Sequence, residues 1–70
     1  MELKPVQSSN ITHVGYEPAT KEMQITFNSG KTYSYTDVEP EHYQQLINAD
    51  SIGSHFSKWI RPNYSGKVVS

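Results

Sequence analysis

Asp50, Ser51, Ser54 and His55 crowd the residue types of an acyl-transfer triad into a single short run. A triad needs a base and an orienting acid that converge in space beside an oxyanion site. Neighbours on one helical turn do not provide that convergence. Asp50 and Ser51 are instead helix-capping types, and His55 sits on the edge of an apolar stripe. His13, His42 and His55 lack the spacing of metal ligands. The chain has no cysteine, which removes thiolate metal sites, nucleophilic thiols and disulfides. The residues point to no enzyme, no metal and no cofactor.

What remains is the chemistry of anion contact. At about 100° per residue, the outer face of a helix following Ser51 carries Ser54, Ser57, Lys58 and Arg61. Two hydroxyls, two cations and the first free amides of that helix match a phosphate group. Lys67 and Lys31 are the further cations assigned to this set, with Tyr64 at its edge. The net charge of −1 conceals an asymmetry: residues 1–50 hold all seven acids, whereas residues 51–70 hold three cations and no acid. A polyanion is repelled by the first region and attracted to the second. The competing reading is that Gly53 lets two elements pack and the polar side chains are solvated.

Three strands and two helices must position these groups. Met23, Ile25 and Phe27 alternate with Gln24 and Thr26, and Tyr33 and Tyr35 alternate with Thr32, Ser34 and Thr36. A three-residue loop, Asn28-Ser29-Gly30, sets Ile25 against Tyr33 and Met23 against Tyr35. Gly30 falls where such a loop needs a left-handed residue. An earlier strand, about residues 11–16, sets Tyr16 against Met23 and Val14 against Ile25, although Ile11 then falls on the wrong face. The second face carries Thr12, Gln24, Thr26, Thr32, Ser34 and Thr36. Pro40 opens the first helix after Glu39, with Val38 and Tyr43 as a hydrophobic staple. Ile52, Phe56, Trp59 and Ile60 give the second helix its stripe, and Pro62 ends it.

The expected fold is therefore α+β: a three-stranded antiparallel β-meander followed by two helices packed on one face (β-β-β-α-α). Residues 1–8 and 65–70 are expected as flexible ends, with Lys67-Val68-Val69 a possible edge strand. Seventy residues form one domain, and only about 60% of the unfolded surface of so short a chain is buried. With a mean hydropathy of −0.69, five Tyr, two Phe and one Trp must supply much of the core. No run is apolar enough for a signal peptide or a membrane span, so the expected location is cytoplasmic. The sequons at Asn10 and Asn63 are then chance matches.

The ordered set Ser9-Asn10-Ile11, Val14-Gly15-Tyr16, Phe27, Gly30, Tyr33-Ser34-Tyr35, Asp37-Val38, Ala49-Asp50-Ser51-Ile52-Gly53, Phe56, Ile60 and Tyr64 resembles the KTSC domain. That small bacterial domain is named after the C-terminus of some lysyl-tRNA synthetases and also occurs alone. The resemblance implies a single domain over residues 9–64, with Tyr16, Gly30, Tyr33, Tyr35, Val38, Ser51, Gly53 and Phe56 as its structural motif. Glu39 departs from the proline expected after Val38. The family has no established activity; RNA binding is suggested by the synthetase context. The expectation is a weak, salt-sensitive, sequence-nonspecific RNA contact through Ser54, Ser57, Lys58, Arg61, Lys67 and Lys31. The alternative is a protein-interaction or homodimer-forming module with no nucleic-acid role.

Overall fold

The structure, a computed structural model, describes all residues 1–70. Its centre is the hairpin of β3 (Glu22–Phe27) and β4 (Thr32–Tyr35); the Phe27 amide donates to the Lys31 carbonyl at 2.9 Å, which closes the expected three-residue loop Asn28-Ser29-Gly30. Met23 faces Tyr35 and Ile25 faces Tyr33. The Gly30 amide donates to the Phe27 carbonyl at 2.9 Å, and Gly30 adopts φ +92°, a region open to glycine at little cost. Strand β2 (Ile11–Glu17) pairs antiparallel with β3, with Val14 opposite Ile25 and Tyr16 opposite Met23, as their spacing requires.

The difficulty at Ile11 is resolved by a bulge. Ile11 pairs with Phe27 and His13 with Thr26, so Thr12 is an extra residue that reverses the side-chain parity. Ile11 thereby returns to the core, at 1% exposure. The Thr12 hydroxyl donates to the Thr26 carbonyl at 3.2 Å, tying the bulge to the neighbouring strand.

The three-stranded expectation is corrected to five. The ends of the chain add β1 (Lys4–Pro5) beside β2 and β5 (Gly66–Val68) beside β4, giving the order β1-β2-β3-β4-β5. Neither strand shows a usable period in so few residues. Helix α1 (Pro40–Ile47) and helix α2 (Ile52–His55) follow the meander, and α2 runs on into a π-helical turn, Phe56–Ile60. Glu39 is the N-cap of α1, with Pro40 as its first residue. No helix is long and apolar enough to cross a membrane.

The core lies between helices and sheet: Ile11, Val14, Met23, Ile25, Tyr35, Val38, Leu46, Ile52, Phe56 and Ile60. Tyr16 locks α1 to the sheet in two ways. Its ring stacks on Tyr43 at 4.7 Å, and its hydroxyl donates to the Val38 carbonyl at 2.6 Å.

The opposite sheet face is laced by hydroxyls and one carboxylate. Thr26 and Thr32 hydroxyls lie 2.8 Å apart, and the Glu22 carboxylate accepts from Ser34 at 2.7 Å and Gln24 at 2.9 Å. Those hydrogen bonds, Gln24 first, hold the Glu22 carboxyl below its ordinary value of 4.5. A depressed folded pKa contributes stability that is complete above the unfolded value and disappears as pH falls through the folded one. Stability should therefore drop as pH falls below the ordinary value of 4.5, and Glu22→Gln should flatten that drop. Denaturant unfolding of both proteins across this range is the measurement; equal pH slopes would remove Glu22 from the explanation.

Candidate functional site

At the end of the sheet where β3 turns into β4, the helices leave a groove of about 440 Å³. Its walls are the rings of Phe27, Tyr33, Tyr35 and Phe56. Asn10, Asn28 and Ser29 form a polar rim, and Arg61 stands at the helix side. Phe27 meets Tyr33 edge-on at 5.5 Å and Phe56 at 5.3 Å; Tyr35 meets Phe56 at 5.6 Å. Phe56 and Tyr35 are buried beneath the helix, whereas Phe27 and Tyr33 remain half-exposed. The Asn28 side-chain amide donates to the Ser9 carbonyl, which anchors the hairpin tip against the approach to β2.

The π turn is what brings Arg61 to this groove. On an ideal α-helix Arg61 would project about 140° away from Phe56. Here the Arg61 amide donates to the Phe56 carbonyl at 2.9 Å, an i→i+5 bond that sets Arg61 one turn above Phe56. Ile60 meanwhile keeps its place in the core at 1% exposure. Pro62 has no amide to continue the ladder. Asn63 helps close the end, its side chain donating to the Trp59 carbonyl at 2.6 Å.

Charge is segregated along the strands. Glu17, Glu22, Asp37, Glu39 and Glu41 lie at or next to the end of the sheet away from the groove, where Lys21 pairs with Glu39 at 3.3 Å. The groove lining contains no acid. Burial pushes the Tyr35 phenol up to about 12; Tyr33 adds to this, and the nearby Arg61 guanidinium opposes it. Raised above its ordinary 10.0, this group favours the fold below pH 10 and withdraws that contribution as pH rises towards 12.

The six residues assigned to phosphate do not form one cluster. Arg61 lines the groove, and exposed Lys31 follows the hairpin tip that forms its rim. Lys58 instead leans towards exposed Trp59, its Nζ 5.9 Å from the ring centroid. Lys67 pairs opposite Ser34, on the hydroxyl face of the sheet. Ser54 and Ser57 are exposed but outside the groove, and the Ser54 amide already donates to Ser51 Oγ at 3.3 Å. Gly53 is a packing position: an added Cβ would lie 3.2 Å from Ser8 Oγ and 3.4 Å from the Asn10 amide.

Of the histidines, His42 and His55 line a second pocket with Trp59 and Asn63, whereas His13 lies apart on β2. His13 contacts the Thr12 hydroxyl, His42 bonds the Tyr64 hydroxyl, and His55 tilts against Trp59. The residues missed from sequence are Asn10, Phe27, Asn28 and Ser29. The available signal was two rings, Phe27 and Tyr33, flanking a polar turn.

Comparison with known proteins explains the recurring pattern. The KTSC domain family model matches residues 7–64. The chain belongs to the KTSC family. A protein of Stutzerimonas stutzeri is 39% identical over 59 residues, 84% of this chain and 83% of the relative. A lysine–tRNA ligase of Nostoc punctiforme is 38% identical over 68 residues, which are 97% of this chain but 12% of the ligase. The crystal structure of a KTSC domain protein from Yersinia pestis superposes with a TM-score of 0.94 at 29% identity, covering 99% of this chain and 97% of that one. In this KTSC domain the motif residues are largely scaffold: Tyr16 and Val38 join sheet to helix, Gly30 makes the turn, Ser51 caps α2, and Tyr35 supports Phe56.

Proposed function

We propose that this KTSC domain is a weak, sequence-nonspecific RNA-binding accessory module that meets the phosphate backbone through Arg61 and Lys31. The observation that carries this reading is Arg61 held by the π turn beside a groove without acids. The similar segment within lysine–tRNA ligases, proteins whose names specify an RNA, agrees with it. A cytoplasmic setting goes with the same reading. Two phosphate contacts give a shallow salt dependence, with a log–log slope of about −1.4 on single strands.

Bulk tRNA titrated at two salt concentrations should shift the amides of Asn28 to Lys31 and of Arg61. Arg61→Gln should weaken binding and lessen the slope by about 0.7. A titration at low salt in which no amide in these segments or in Ser54 to Trp59 moves would reject the reading.

One observation favours self-association as a second reading. Strand β5 has an unpaired outer edge, with Val68 at 50% and Val69 at 48% exposure. Sedimentation over a concentration series separates monomer from dimer, and a complex that persists at high salt would favour this reading over the electrostatic one.

A further inference from the structure

We infer that the groove between Phe27, Tyr33 and Phe56 takes one unpaired nucleobase of a single strand, whose phosphate lies on Arg61. This rests on the RNA-binding reading and specifies what the same surface recognises. Phe27 and Tyr33 are half-exposed at the end of the sheet and meet edge-on at 5.5 Å, so a flat partner would lie against the ring surface that this contact leaves open. A base inside a duplex has both faces covered by its neighbours, so only an unstacked base can enter such a groove. The volume of about 440 Å³ lies within the range of small-ligand sites. Half of its lining residues are rings, and the other half are two amides, a hydroxyl and a guanidinium that can orient the guest.

Charge complementarity identifies the rest of the ligand. The lining has a guanidinium and no carboxylate. Arginine is always charged, binds phosphate through a planar fork and stacks on flat rings. Asn10, Asn28 and Ser29 carry both donors and acceptors, so the edge of any base can find a partner and discrimination among bases is weak.

An extended peptide fits less well. Strands β3 and β4 are each paired on both sides, so the groove has no free strand edge to which a peptide backbone could add. What the groove leaves available is rings, side-chain amides and one cation.

The test compares three eight-nucleotide probes on the full chain at low salt: oligo-riboadenylate, the same ribose-phosphate backbone without bases, and an RNA duplex of the same length. Oligo-riboadenylate should bind about 5- to 150-fold more tightly than the abasic strand, the range that one stacked base supplies. It should shift Phe27 and Tyr33, which the duplex should leave in place, whereas Arg61 should shift with any of the three probes. Tyr33→Leu should abolish the advantage of the bases while keeping the abasic-strand affinity. If that variant loses its folded amide spectrum, Phe27→Leu replaces it, and the comparison of probes on the unaltered protein stands without either.

Equal affinity for oligo-riboadenylate and the abasic strand would overturn the base site while leaving the phosphate reading intact. No binding of any strand would overturn both. Shifts at Phe27 and Tyr33 produced by an Asp-Phe dipeptide, and not by oligo-riboadenylate, would make the groove a peptide site.

Discussion

Leu46→Ala is expected to cost about 2–5 kcal/mol and to leave a substantial fraction of the protein unfolded at physiological temperature. Leu46 is at 0% exposure and is the one fully buried residue of α1; Tyr43 and Ile47 on the same stripe are half-buried. An eight-residue helix has little stability of its own, so α1 holds its conformation by inserting this side chain beneath it. A domain of this size seldom has more than about 3–5 kcal/mol in total, which makes the loss comparable to the whole. Denaturant unfolding followed by circular dichroism measures it. Gln44→Ala, on the exposed face of the same helix, should change stability by less than about 0.5 kcal/mol. A loss below about 1 kcal/mol for Leu46→Ala would mean that the surrounding core closes over the space, against this account of α1.

Gly66→Ala has the next largest expected effect, about 1–3 kcal/mol. A Cβ at this position would lie 2.6 Å from Tyr35 Cε2, 2.9 Å from Cζ and 3.0 Å from the hydroxyl. The Tyr35 ring cannot swing away easily, because it is at 5% exposure and packed against Phe56. Two responses are available to the chain. Either Tyr35 moves and disturbs the wall of the groove, or β5 leaves the sheet and takes with it the pairs Tyr33–Val68, Ser34–Lys67 and Tyr35–Gly66. Hydrogen exchange distinguishes them. The amide of Val69 donates to the Thr32 carbonyl, and that of Thr32 to the Ser70 carbonyl. Both should exchange faster if β5 detaches; unchanged protection together with unchanged stability would contradict the close approach of β5 to Tyr35.

The register of the central sheet was legible because it depends on local constraints. A three-residue loop ending in Gly30 allows one pairing of β3 with β4, and alternation then assigns each side chain to a face. The same logic failed at Ile11, where the bulge at Thr12 changes parity without leaving a mark in composition. It also had nothing to say about β1 and left Lys67-Val68-Val69 open between a flexible tail and an edge strand, since two or three residues show no period and pair only because a finished sheet offers them an edge.

The groove shows this division most clearly. Sequence alone determined the three-stranded meander, its turn, the two helix starts and membership in a recognisable family pattern, because turn length, alternation and capping act within a few residues. It also determined that the three cations after residue 50 have no acid among them. Tertiary structure decided which of them share a surface. Lys58, Arg61 and Lys67 are close in sequence, yet they point towards Trp59, the aromatic groove and the hydroxyl face respectively. The reason is geometric: a change from i→i+4 to i→i+5 bonding re-aims Arg61, and pairing with β4 carries Lys67 to the far side of the sheet. Whether a ring is core or surface was settled the same way, by how far two short helices extend over a five-stranded sheet.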